Sequence, residues 1–276
     1  MSYKNLAFKL LLLISFFSLV ACNNMRVKVA GVIEIKQDNL QQAYPKAIIE
    51  PKLVRSSIEI EKRLNQREGV AAPAGQKNFK VVSGSQAIII TAPHSVRPFR
   101  NGKYRFSDGG ATAAYAIALA ELVDAHVIYA TYESETDANY EDDNDFKRQL
   151  AVLIEQVDPI LVLDIHGSNP MRPYDLDIGT MGGASLLGDE TLVTNLITRL
   201  AKEGILNISY NRFSASKQQT ITKFASTKGV PTLQLEINAT YLMPSEGSIE
   251  AKRFAMLLQG LTRYITQDVL MNNNKK

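Results

Sequence analysis

The strongest constraint on the fold is a repeated switch of hydrophobic period. Ala87-Ile-Ile-Ile-Thr91 is a continuous apolar run of strand length, Ala111 to Val123 carries alanine and leucine at helical spacing, and His126 to Thr131 returns to a strand pattern. The alternation continues with a helix over Phe146 to Gln156, a strand over Ile160 to Ile165, a helix over Leu192 to Ala201, a strand over Thr232 to Ile237 and a closing helix over Ser248 to Tyr264. Strands that are apolar throughout are buried on both faces, which requires helices above and below the sheet. The expectation is an α/β fold with a largely parallel sheet, in which ligands bind beyond the carboxyl ends of the strands.

The amino terminus has a different logic. Lys4 and Lys9 precede the apolar run Leu10 to Val20, broken only by Ser15 and Ser18 and closed by Ala21-Cys22. A membrane span needs about 20 apolar residues to cross ~30 Å of hydrocarbon, so the run fits a cleaved signal peptide over residues 1–21 better. Leu19-Val20-Ala21-Cys22 resembles the bacterial lipobox, whose cysteine is acylated and becomes the first mature residue; an ordinary leader with a chance cysteine is the alternative. Cys22 is the only cysteine, which excludes an intrachain disulfide and a thiolate metal cluster. The expected location is the extracytoplasmic cell envelope, with the chain held at the membrane through a lipid anchor.

Residues 22–78 read as a tether with peripheral elements: a loose strand pattern over Val27 to Ile35, a helical mixture over Leu53 to Gln66, and the linker Gly69-Val-Ala-Ala-Pro-Ala-Gly75. Residues 79–268 form one catalytic α/β domain, and 269–276 a polar tail. The 31 Lys and Arg against 28 Asp and Glu leave a formal charge of +3, too mild and too scattered for a nucleic-acid groove, so no nucleic-acid partner is expected.

Three histidines make each position informative. His94 and His166 follow directly on apolar strands, at the strand ends where ligands gather, whereas His126 begins a strand at the opposite end of the sheet and reads as structural. Imidazole is the commonest metal ligand, and a catalytic zinc takes three protein ligands, so two histidines call for an oxygen donor. Asp108 is the first candidate, although aspartate ahead of a helix also serves as a cap. Asp164, two residues before His166 on the same strand face, is placed to buttress an imidazole. Gln234, Glu236 and Asn238 alternate onto one face of the last strand. A glutamate there is either a general base beside a metal or part of a solvated edge.

Six short stretches now appear in one order: Pro93-His94-Ser95, Asp164-Ile-His166-Gly, Asp177-Ile-Gly-Thr180, Asn211-Arg212-Phe213, Thr220-Ile-Thr-Lys223, and Gln234-Leu-Glu236 followed by Tyr241. In order and spacing, over roughly Ile88 to Tyr241, the chain resembles the N-formylglutamate amidohydrolase family, which is similar in fold to the zinc carboxypeptidases and aspartoacylases. The resemblance implies a mixed sheet of about eight strands between helices (zinc carboxypeptidase-like, phosphorylase/hydrolase-like), zinc held by His94 and His166, and Glu236 as catalytic glutamate. Arg97 stands where zinc carboxypeptidases place a ligand glutamate, so the third ligand does not carry over from them. Asp108 matches an aspartate of the formylglutamate hydrolases. Asp137-Ala-Asn139-Tyr140 lacks the arginine of the family's corresponding stretch, and His166-Gly167 stands for its histidine-serine pair.

Arg97, Arg100, Arg172 and Arg212 lie in or beside these loops, and a guanidinium fork suits a carboxylate. Arg97, Arg172 and Arg212 are the candidate substrate anchors, for a small acidic amide or peptide such as an N-acyl amino acid. No G-x-S-x-G elbow is present, and Ser95 and Ser168 lie in loops of another kind, which disfavours a Ser-His-Asp hydrolase. The rival expectation is a non-enzymatic envelope lipoprotein that binds a carboxylated ligand or cell-wall peptide in the same pocket.

Overall fold

A computed structural model describes residues 46–271. The expected leader, Cys22, the stretch Val27 to Ile35 expected as a strand, and the last five residues lie outside the described residues. Among the described residues no helix is long and apolar enough to cross a membrane.

In chain order the elements are α1 (Pro51–Asn65), β1 (Phe79–Val82), β2 (Gln86–Ala92), β3 (Phe99–Arg100), β4 (Lys103–Tyr104), α2 (Gly110–Val123), β5 (Ala125–Ala130), α3 (Asp145–Val157) and β6 (Leu161–Ser168). There follow β7 (Leu176–Gly179), a 3-10 turn (Met181–Leu186), α4 (Thr191–Lys202), β8 (Ile208–Tyr210), α5 (Ile221–Thr227), β9 (Thr232–Asn238), α6 (Ala239–Leu242) and α7 (Ser248–Arg263), which ends in a wider turn over Tyr264–Leu270. Within the described residues the expected strands and helices are present within a residue or two, except that β6 runs three residues further, to Ser168. Three short strands that carry no alternation long enough to detect, β1, β7 and β8, complete the sheet.

The fold is mixed α/β. Seven strands run in the order β1-β5-β2-β6-β9-β7-β8, and β3 and β4 pair as a separate ribbon. Strands β5, β2, β6 and β9 are mutually parallel, as are β7 and β8, while β1 on β5 and β7 on β9 are antiparallel. Among the described residues the main sheet has seven strands, against an expectation of about eight. From β2 the chain crosses by α2 to β5, then returns by α3 to β6 on the other side of β2. The two helices lie on opposite faces, so the strand order reverses at β2, and its carboxyl end beside β6 is the natural crevice.

Each face has its own core. Ile88, Ile90, Leu161, Leu163, Ile165, Leu233 and Leu235 pack with α2, α4 and α7, whereas Ile89 and Val162 pack with Phe146, Leu150, Ile221 and Ala225 of α3 and α5. Two expectations at the ends need correcting. Helix α1 is not peripheral: Leu64 joins the first core, the buried Glu61 accepts hydrogen bonds from Ser245, and Asn65 Oδ1 accepts the Gly110 N–H at the start of α2. Nor does the polar tail begin at residue 269, because Val269 is buried in the core and helical structure runs to Met271.

Candidate metal centre

The register of the sheet builds the site. Thr91 of β2 lies opposite Asp164 of β6, Asp164 opposite Gln234 of β9, and His166 opposite Glu236. Laterally paired residues project to the same face, so these five side chains form a polar patch at the carboxyl ends of the strands. His94 stands two residues beyond β2, and its carbonyl accepts the Asp108 N–H at 2.8 Å, which draws the loop ahead of α2 over the strand ends. Gly167 permits that approach. A Cβ there would meet Asp108 Cβ at 3.3 Å, the Asp108 carbonyl oxygen at 3.0 Å and Leu242 Cδ2 at 2.9 Å.

One oxygen of Asp108 lies 2.9 Å from His166 Nδ1 and 3.5 Å from His94 Nδ1, and donor atoms of the three residues fall within 4.8 Å of one another. The opposite edge of each ring is also held. His94 Nε2 lies 2.7 Å from Asp137 Oδ1, and His166 Nε2 lies 3.1 Å from Asp164 Oδ2, whose other oxygen accepts from Thr91 at 2.6 Å. Asp137 and Asp164 are fully buried. The rings meet edge to face at 4.9 Å.

The proton positions on the two rings depend on what occupies the site. Asn139 Nδ2 also lies 3.2 Å from His166 Nε2, but one nitrogen cannot both accept from Asn139 and donate to Asp164. Without a cation, Nδ1–H of each ring faces the Asp108 oxygen; with one bound, the protons would sit on Nε2, facing Asp137 and Asp164, and both Nδ1 lone pairs would face the ion. This is how carboxylates orient metal-binding imidazoles, and two ring nitrogens with one carboxylate are a donor set suited to a divalent cation.

Ionisation follows the same contacts. Burial opposes protonation of His94, but the charge of Asp137 and hydrogen bonds to Asp108 and Asp137 outweigh it and push the pKa up to about 9. Burial likewise opposes protonation of His166, and Asp164 and Asp108 raise its pKa well above the usual value. Asp108 is raised by burial and lowered more strongly by its hydrogen bonds to His166 and His94, and ends below the usual carboxylate range. Glu236 goes the other way. Burial raises it to about 7 against the lowering charge of His166, and Gln234 Nε2 donates to its Oε1 at 2.9 Å.

A cleft of about 490 Å³ opens on this cluster, with Arg100, Arg105, Arg172 and Arg212 among its lining residues. Arg172 stacks on Phe213 with 5.0 Å to the ring centre. Neither Arg172 nor Arg212 has a carboxylate partner among the described residues. Arg97 requires correction as a substrate anchor: its fork holds Glu133 at 2.9 and 3.0 Å, its guanidinium stacks on Tyr104, and it is not part of the cleft wall. Arg100 and Arg105 turn inward instead, 3.7 and 3.5 Å from Asp137 Oδ2. His126 lies apart, among residues near the amino ends of β2 and β5.

Asp177 anchors the opposite wall. Its carboxylate accepts the N–H groups of Arg212 and Phe213 at 3.1 and 2.8 Å and the Ser209 hydroxyl. Asp137 and Arg105 are the residues that sequence reasoning missed as parts of the site. The only sequence signal for Asp137 is its stretch Asp137-Ala-Asn139-Tyr140, which lacks the arginine of the corresponding stretch in the family it resembles.

No family model matches the chain, and no curated protein matches it. Among solved structures it is similar to N-formylglutamate amidohydrolase from Ralstonia eutropha JMP134, with 15% identity and a TM-score of 0.49 over 72% of this chain and 99% of that one. It is also similar to a bacteriophage poly-gamma-glutamate hydrolase, with 12% identity and a TM-score of 0.48 over 74% and 94% of the two chains. A metallo-carboxypeptidase from Pseudomonas aeruginosa gives 13% identity and a TM-score of 0.45 over 80% and 68%. Likenesses at this level assign neither family nor activity.

Proposed function

We propose that this chain is a metal-dependent hydrolase, with zinc held by His94, Asp108 and His166, that cleaves an amide bond in a carboxylate-bearing N-acyl amino acid or peptide. The observation that carries the reading is the pair of imidazoles, each turning Nδ1 toward one shared Asp108 oxygen while a buried aspartate holds its Nε2. When bound, a divalent cation supplies Lewis acidity, polarising a carbonyl and acidifying water.

The protein's own groups then divide the work. Glu236 keeps one oxygen on Gln234 and has no hydrogen-bond partner for the other among the described residues, so it can take a proton from the attacking water and return it to the departing nitrogen. Arg172 and Arg212, on the cleft wall and free of carboxylate partners among the described residues, anchor the substrate carboxylate.

The test is elemental analysis of the purified protein, followed by a panel of N-acyl glutamates and cell-wall peptides. Wild type should carry about one zinc and turn over at least one member. Glu236→Gln should keep the zinc and lose 10²- to 10⁴-fold in turnover, the usual share of a positioned acid-base group. Metal-loaded wild type and Glu236→Gln that both bind and never hydrolyse would establish the non-enzymatic binder instead.

We also place the mature chain at the envelope membrane, on the strength of the leader and Cys22. Each buried acyl methylene contributes ~0.8 kcal/mol, so several chains on one cysteine make a durable anchor. Growth with a fatty-acid analogue should label wild type and not Cys22→Ser, and only the variant should leave the membrane fraction.

A further inference from the structure

We propose that Lys147 is a positioning residue that sets both the brace of His94 and the far wall of the cleft, by joining them on one buried ammonium group. The inference goes beyond the proposed activity, and its metal arm rests on the reading of His94, Asp108 and His166 as ligands.

Lys147 sits in the first turn of α3, where its N–H donates to the capping Asn144 at 2.8 Å. Its side chain is 1% exposed. Nζ donates to the Glu141 carbonyl at 2.7 Å and the Gln219 carbonyl at 2.5 Å, lies 3.5 Å from Asp142 Oδ1, and faces the Phe224 ring at 5.4 Å. Burying an ammonium is costly, and an unbranched apolar side chain would fill the same space without that cost. What the ammonium adds is the link between the two carbonyls, since the Glu141 carbonyl also accepts from Asn144 Nδ2 at 2.9 Å.

Those carbonyls belong to different walls. Glu141 closes a turn that begins at Asp137, whose carbonyl accepts the N–H groups of both Tyr140 and Glu141 at 2.9 Å. The same Asp137 holds His94 Nε2. Gln219 ends the irregular stretch between β8 and α5 that lines the far side of the cleft. Asp177 pins that stretch near Arg212, the Met181 N–H donates to the Ser214 carbonyl, and Asn139 Oδ1 accepts the Ile221 N–H at 2.7 Å. Thr220 Oγ1 closes the loop on the Ala215 carbonyl at 2.8 Å, and among the described residues Lys147 is the hydrogen-bond link from residues 216–219 to α3. Asn139 ties the two walls a second time, from within the Asp137 turn.

The experiment compares wild type, Lys147→Met and Lys147→Arg. Zinc affinity is read by competition with a chelator, and the wall is read by mass spectrometry of tryptic cutting after the exposed Lys217, at protease levels that leave the rest of the chain intact. Lys147→Met should bind zinc about tenfold more weakly, the lower end of what outer-shell changes cost, and should be cut after Lys217 several-fold faster. Lys147→Arg, which keeps donors at that position, should recover much of both. A Lys147→Met protein that melts earlier but keeps wild-type zinc affinity and wild-type cutting has lost only packing, and overturns the proposal.

If Lys147→Met does not fold, wild type decides through the nitrogen resonances of its lysine ammonium groups. One slowly exchanging ammonium, missing in Lys147→Arg, supports the joint, and uniformly fast exchange overturns it. Should wild type bind no zinc, the metal reading fails, while the Lys217 cutting and the ammonium exchange still decide whether Lys147 holds the wall.

Discussion

On the face under α2 and α7, strands β2, β6 and β9 present Ile88, Ile90, Leu161, Leu163, Ile165, Leu233 and Leu235, all fully buried. One residue along each strand, the face under α3 and α5 presents Ile89 and Val162 and then, toward the carboxyl ends, Thr91, Asp164, His166, Gln234 and Glu236. The same backbone thus serves two ends. A face of branched aliphatics stabilises the strands without any polar group to satisfy, and this lets the other face carry carboxylates and imidazoles whose burial alone would be unfavourable. Where the two requirements meet within one strand, period-2 alternation separates them cleanly.

The comparison breaks most visibly at Leu163. Leu163→Ala should cost about 2–5 kcal/mol of stability, because a fully buried leucine between α2 and the sheet leaves a cavity that its neighbours cannot refill. Denaturant unfolding measures this directly, and the folded fraction should still bind one zinc. Its neighbour in sequence, Asp164, belongs to the other face. A Leu163→Ala protein that loses zinc while keeping its stability would show that the two faces are not independent.

Asp137 gives the next largest effect. Asp137→Asn keeps the shape but offers His94 a neutral partner, so the ring is oriented less firmly and its basicity falls. Outer-shell carboxylates typically contribute 10- to 100-fold to metal affinity, and chelator competition should find a loss in that range. Unchanged affinity would mean that His94 does not bind through Nδ1.

How much of this could be read from the sequence follows from range. Apolar runs and helical spacing report local geometry, so β2, β6, β9 and the main helices were legible, and the open-sheet rule then placed His94 and His166 together. Asp108, separated from His94 by little chain, lies beside both histidines in the structure. Asp137 sits in a loop with no periodicity, and only folding brings it to His94. Strands β7 and β8, four and three residues long, are too short for alternation to register, and the antiparallel pairing of β7 with β9 joins segments that α4, β8 and α5 separate in the chain. The packing of α1 was hidden for another reason: Leu53, Val54, Ile60 and Leu64 pack on the first core, and Glu61 and Asn65 reach Ser245 and Gly110, all contacts with residues far along the chain.

The arginines supply the smallest and most discriminating contrast. Arg97 and Arg172 are both arginines in loops at the strand ends, and sequence alone treats them alike. In the structure Arg97 is committed to Glu133 by two hydrogen bonds, whereas Arg172 lines the cleft with no carboxylate partner among the described residues. Arg97→Ala should therefore lower stability by about 1 kcal/mol or less, the usual worth of a partly exposed pair, and leave KM unchanged. Arg172→Ala and Arg212→Ala should leave stability and zinc unchanged and raise KM for a carboxylated substrate, by up to about tenfold for an exposed guanidinium. The corresponding uncharged amide should be indifferent to either change, because the lost contact is to the carboxylate itself. If Arg97→Ala raised KM as Arg172→Ala does, the Glu133 pair would open in solution and the guanidinium would reach the cleft, and the division between a wall arginine and an anchor arginine would have to be redrawn.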